Sequence, residues 1–176
     1  MILNSIFRYI LLPSFTLLLG ISFVSGQSMS TDFKKTIDGL LNFSVPAIGC
    51  TELRNQLFFS SEKLILLDAR EDREFEVSHL KGAIHIGFNN FTIDAIQNIS
   101  KKSKIIIYCS VGYRSEKIGE QLKNAGYLNV SNLYGGIFEW SNLGYPIVKG
   151  NSSHTTSVHA YDQSWGKWLK KANKVY

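Results

Sequence analysis

The sequence predicts one α/β domain over residues 48–148, a central and mostly parallel sheet of about five strands with helices on both faces. Three observations carry that prediction. Leu64-Ile65-Leu66-Leu67 and Ile105-Ile106-Ile107-Tyr108 are short, uncharged runs suited to strands buried on both faces. The stretches between such runs carry helical patterns instead of hairpin turns, which implies crossover connections and parallel pairing. The 176 residues are 44% hydrophobic and 19% charged, which supports one ordinary apolar core and excludes a disordered or collagen-like chain.

Residues 1–26 stand apart from this domain. Arg8 is their only charged side chain, an apolar stretch runs from Tyr9 to Val24, and Val24-Ser25-Gly26 offers a cleavage site. That is the order of a secretory leader, and it places the mature protein outside the cytoplasm, periplasmic or secreted. The stretch is short for a span of roughly 20 residues and is interrupted by Pro13, with a retained N-terminal anchor as the alternative.

Residues 27–47 form an N-terminal segment with a short helix expected around Phe33 to Leu41. Thr51 is placed to cap a helix running to Phe59, its hydroxyl accepting from a free first-turn amide. After the strand at Leu64, residues 71–78 are charged and helix-like, Ala83–Ile86 is a short strand, and Phe91–Ile99 again reads as helical. The strand Ile105–Tyr108 is followed by a helix from Ser115 to Ala125, with Ile118, Leu122 and Ala125 on one face and Gly126 at its end. Asn129–Leu133 is a further strand, Gly135-Gly136 a turn, and Ile137–Asn142 a short helix. The extension 149–176 opens polar and then places Trp165, Trp168, Leu169, Ala172 and Tyr176 at helical spacing, with lysines on another face. This predicts a basic amphipathic helix docked by its tryptophans, with membrane-surface or protein contact as the alternative.

Chemistry concentrates at Cys109. It follows the clearest buried strand and precedes a helix, with Ser110, Val111, Gly112 and Tyr113 forming a tight loop before Arg114. Ligands of open parallel sheets gather at the carboxyl ends of strands. A thiol there meets loop amides and the positive end of a helix, which favour thiolate, and Arg114 adds a forked cation suited to oxyanions.

The stretches Leu66-Leu67-Asp68-Ala69-Arg70, Glu74-Phe75, Ser78-His79-Leu80-Lys81-Gly82-Ala83-Ile84, Cys109 to Ser115, and Gly135-Gly136-Ile137 with Trp140 resemble a single-domain rhodanese. Ser78 and Lys81 depart from that family, which often has Gly and Pro there. The resemblance implies a sulfurtransferase in which Cys109 takes up a sulfane sulfur as a persulfide. It also implies a thiosulfate sulfurtransferase type of enzyme, with Arg114 and the loop Ser110, Val111, Gly112, Tyr113 and Ser115 holding a small anionic sulfur donor, thiosulfate or a persulfide, and cyanide or a thiol as acceptor. A non-catalytic binding module of the same fold is the alternative. A phosphatase or arsenate reductase fits less well, because their loops resemble Cys-X5-Arg and this one is Cys-X4-Arg.

Other residues read as structural. Arg70 is expected to pair with Glu74 of the following helix, and His79 and His85 lack metal-ligand spacing. Cys50 is expected to be a spectator thiol, although outside the cytoplasm a Cys50–Cys109 bond is the alternative that would silence the site. The net charge of +5 is scattered, without the basic-aromatic interleaving of a nucleic-acid surface. No metal, cofactor or nucleic acid is expected, and the protein is expected to act as a monomer.

Overall fold

The computed structural model describes residues 29–151 and 153–176. The expected leader, residues 1–26, lies outside the described residues. No helix among the described residues is long and apolar enough to cross a membrane.

The chain runs α1 (Thr31–Asp38), β1 (Ala47–Ile48), α2 (Cys50–Phe59), β2 (Leu64–Asp68), α3 (Asp72–Val77) and β3 (Ile84–His85). A single 3-10 turn (Ile93–Ile96) leads to β4 (Lys104–Tyr108), α4 (Tyr113–Asn124), β5 (Asn129–Leu133) and α5 (Gly136–Asn142). The five strands form one sheet in the order β1-β5-β4-β2-β3, parallel at every pairing. β4 sits at the centre, zipped to β2 on one side and β5 on the other. Its side chains alternate between two cores: Ile106 and Tyr108 pack with Leu53, Ile137 and Phe138, while Ile105 and Ile107 pack with Ile118 and Leu122 of α4. Both faces are therefore covered, as a parallel sheet requires. From β2 the chain crosses outward to β3, and from β4 it crosses the opposite way to β5. The crevice where ligands collect in such sheets thus lies beyond the carboxyl ends of β2 and β4.

Helix ends follow local chemistry. Ser30 accepts from the Phe33 amide at 3.4 Å to open α1. The amides of Gly126 and Tyr127 close α4 by donating to the carbonyls of Lys123 and Leu122 at 2.9 and 3.0 Å. Thr51, expected as a cap, is not one: α2 starts at Cys50 behind Gly49 with no side-chain cap, and the Thr51 hydroxyl meets that of Tyr145 at 3.0 Å. The expected helix 91–99 is reduced to the 3-10 turn, with Ala95 and Ile99 amides bonding to Thr92 and Ile96. Its inward residues Ile96 and Ile99 are three apart, which matches a period of about 3 residues per turn and not 3.6.

The extension departs most from expectation. β6 (Ile147–Lys149) pairs antiparallel with β7 (Ser153–Thr155), and β8 (Ser157–His159) pairs parallel with a final strand after the short helix α6 (Gln163–Gly166). That final strand, β9 (Asn173–Val175), replaces the second half of the amphipathic helix expected from Trp165 to Tyr176. The short helix ends at Gly166. A Cβ there would lie 2.6 Å from the Tyr176 hydroxyl and 3.3 Å from the Ala160 methyl, so close packing requires the one non-proline residue that most weakens a helix, by about 1 kcal/mol against alanine. The lysines 167, 170, 171 and 174 are exposed but share no helical face. Docking by the tryptophans does occur: Trp168 stacks on Phe33 with centroids 5.2 Å apart, and Leu169 and Val158 are fully buried.

Candidate active site

Cys109 leaves the carboxyl end of β4, and α5 fixes the loop from behind. The amides of Ile137 and Phe138 donate to the carbonyls of Cys109 and Ser110 at 3.0 and 3.1 Å. This approach needs Gly136, because a Cβ there would overlap the Cys109 carbonyl oxygen. With those carbonyls tied to α5, the Gly112 amide donates to Cys109 Sγ at 3.1 Å. Gly112 is also the N-cap of α4, so the sulfur sits at a helix start whose first-turn amides have no carbonyl of a preceding turn to bond.

Arg114 was expected to face a bound anion. Its fork is instead occupied by Glu74: Nη1 donates to Oε2 at 2.7 Å and Nη2 to Oε1 at 2.8 Å, with Nη2 also reaching the Ser110 hydroxyl at 3.0 Å. That hydroxyl donates to Glu74 Oε1 at 3.0 Å, and the Glu71 amide donates to Oε2 at 3.1 Å. Glu74 is fully buried. Burial alone would raise its carboxyl, but the bonds and charge of Arg114, with the charge of Arg70, hold it down at about 2. The expected Arg70–Glu74 pair is corrected accordingly. Arg70 grips Asp68 at 2.6 Å, both fully buried, and reaches Glu74 only through its carbonyl, while Nη2 donates to the Ser78 carbonyl at 2.6 Å.

A cavity of about 440 Å³ opens above the loop, lined by Cys109, Ser110, Val111, Tyr113 and Arg114 together with Phe88, Tyr161 and Trp165. Gly112 and Ser115, also singled out from the sequence, lie beneath that lining. Gly112 contributes its amide to the sulfur, and Ser115 braces the loop: its hydroxyl lies 2.7 Å from Asn132 Oδ1, while Asn132 Nδ2 donates to the Gly112 carbonyl at 2.9 Å. Sequence reasoning missed Glu74, Tyr161 and Trp165 as parts of the site. Glu74 stood in the quoted motif, and its place there was the available signal; the approach of the extension has none.

Both cysteines are free thiols. Cys50 Sγ points to the carbonyls of Tyr134 and Gly136 at 3.6 and 3.8 Å, and burial pushes its thiol up, which leaves it inert. His79 meets the Phe75 carbonyl at 3.1 Å and stacks on the Phe75 ring, and His85 meets the Arg70 carbonyl at 2.7 Å, both in structural roles.

Fold and loop define a class, the parallel α/β domain whose central strand delivers one cysteine to a helix N-terminus beside an arginine. Residues 51–143 match the rhodanese-like domain family, and the chain belongs to it. A tRNA uridine(34) hydroxylase of Listeria welshimeri is 39% identical over 92 residues, 49% of this chain and 28% of that protein's length. The rhodanese-like domain of an Anabaena sp. protein superposes with a TM-score of 0.56 at 23% identity, over 61% of this chain and 82% of that one. A thiosulfate sulfurtransferase of Pseudomonas aeruginosa gives 0.56 at 21% identity, over 78% of this chain and 25% of that one. The two solved structures bear on fold alone.

Proposed function

We propose that the protein is a sulfurtransferase that carries a sulfane sulfur on Cys109. The observation that supports this reading best is the Gly112 amide directed at Cys109 Sγ, at the start of α4, with Cys109 buried at the wall of the cavity. An amide donor and a helix N-terminus stabilise a thiolate, and the same donors stabilise the charge of a persulfide. In the first half-reaction the Cys109 thiolate attacks the outer sulfur of the donor. A Cys109 S–S bond forms, the donor's sulfur bond breaks, and sulfite, a sulfinate or a thiolate, according to the donor, leaves with the electron pair. In the second, an acceptor thiolate or cyanide attacks the outer sulfur and returns the Cys109 thiolate. Arg114, locked to Glu74, acts by holding Ser110 and the loop in place. The activity named for the Listeria relative belongs to a protein of which the match is only 28%, and it is not carried over.

Mass spectrometry of unreduced protein incubated with thiosulfate, and in parallel with methanethiosulfonate, tests the reading. Wild type gains one sulfur atom per chain, and Cys109→Ser gains none. A sulfur adduct that survives the substitution, or none in wild type with either donor, overturns it.

A further inference from the structure

The extension does more than stabilise the domain, because it supplies a wall of the cavity over Cys109. Tyr161 and Trp165 line that cavity together with Phe88, Leu40, Val111 and Tyr113. Their placement is built in. Val158 and Ala160 before them and Leu169 after them are fully buried. Tyr161 holds a left-handed backbone at φ 67, a conformation that costs a non-glycine residue about 1–3 kcal/mol and persists only where its surroundings enforce it. They do: the Tyr161 amide donates to His159 Nδ1 at 3.0 Å, and the Asp162 amide to the Ala160 carbonyl at 2.9 Å. Asp162 then accepts from the Trp165 amide at 2.9 Å and sets the start of α6. The Tyr161 ring packs over the Arg114 guanidinium at 5.2 Å, and the residue stays 43% exposed.

Charge and size both argue against a site made only for a small dianion. Arg114 is neutralised by Glu74, and the other two charged residues of the lining, Arg73 and Glu71, contribute one charge of each sign. The volume of about 440 Å³ falls in the range of roughly 300–1,000 Å³ typical of pockets for organic ligands. We propose that Tyr161 and Trp165 are specificity-determining residues that make this a pocket for an organic sulfur donor or thiol acceptor with an apolar, preferably aromatic, carbon skeleton. This deepens the sulfurtransferase reading and rests on it. For a persulfide donor, the Cys109 thiolate takes the terminal sulfur together with its proton, and the organic thiolate leaves with the electron pair of the broken S–S bond. No further oxidant or reductant is required.

Two donors with the same reactive head and different skeletons, benzenethiosulfonate and methanethiosulfonate, test the proposal on the full chain. Wild type favours the phenyl donor in kcat/KM by about tenfold or more, and Tyr161→Ala and Trp165→Ala bring that ratio toward one, while Tyr161→Phe retains it. A wild-type ratio near one, or a ratio unmoved in both alanine variants, overturns the proposal. Calorimetric binding of benzenesulfinate to Cys109→Ser separates the two readings. Binding that Trp165→Ala weakens, with no sulfur transferred by wild type from any donor, sinks the transferase reading and leaves the pocket standing. Sulfur transfer without skeleton preference does the reverse.

Discussion

A carboxylate cut off from water has to be satisfied by protein alone, and Glu74 is: two bonds from Arg114, one from Ser110 and one from the Glu71 amide. Such a pair adds little if compared with a well-packed apolar substitute, but breaking it strands a buried charge at a cost of about 3–5 kcal/mol. Glu74→Gln keeps the shape and removes the charge opposite Arg114. The expected result is a loss of about 3 kcal/mol in urea unfolding, with the wild-type slope preserved. A loss under about 1 kcal/mol would mean that water or another acid takes over the guanidinium. The pairing spans 40 residues of sequence. That separation explains why local reasoning assigned Glu74 to Arg70, its neighbour four residues away, and left Arg114 free for an anion.

The elements that place the sulfur are β4, α4 and the start of α5, and they were legible to different degrees. β4 was plain because four consecutive uncharged residues ending in Tyr108 have nowhere to go but the interior. α4 was plain because Ile118 and Leu122 repeat at helical spacing and Gly126 ends the pattern. The Gly135-Gly136 turn was visible, but its purpose was not: only the fold shows α5 amides bonding the carbonyls of Cys109 and Ser110. The extension was misread for a related reason, since spacing reports which residues share a face if the segment is helical, and this segment is helical only from Gln163 to Gly166. Gly136→Ala follows from the first of these points. Its Cβ would overlap the Cys109 carbonyl, so α5 must withdraw or the loop must turn. Thermal unfolding is expected to show a loss of about 2–4 kcal/mol, and the variant protein that does fold should form persulfide more slowly than wild type. Unchanged rate and stability together would show that α5 does not set the loop.

For the molecule as a whole, two buried carboxyls push stability against pH in opposite directions. Glu74 titrates at about 2 in the fold against an ordinary 4.5, so between those values the unfolded chain binds more protons and stability climbs as pH rises. Glu139, at the start of α5, is pushed the other way. Burial raises its carboxyl to about 7, and Asn142 and Lys171 offset this only in part. Between 4.5 and 7 the folded chain therefore binds more protons, and this contribution to stability falls as pH rises. His159, lowered from 6.5 by burial, works against Glu139 just below that value. A difference measurement isolates the carboxyl. Unfolding free energies of Glu139→Gln and wild type should coincide near pH 4.5, where a protonated Glu resembles Gln. They should then separate with rising pH until the variant is the more stable by on the order of 3 kcal/mol above pH 7. A difference that stays flat from pH 4.5 to 8 would mean that Glu139 ionises freely, and that the start of α5 is wetter than its packing against the loop implies.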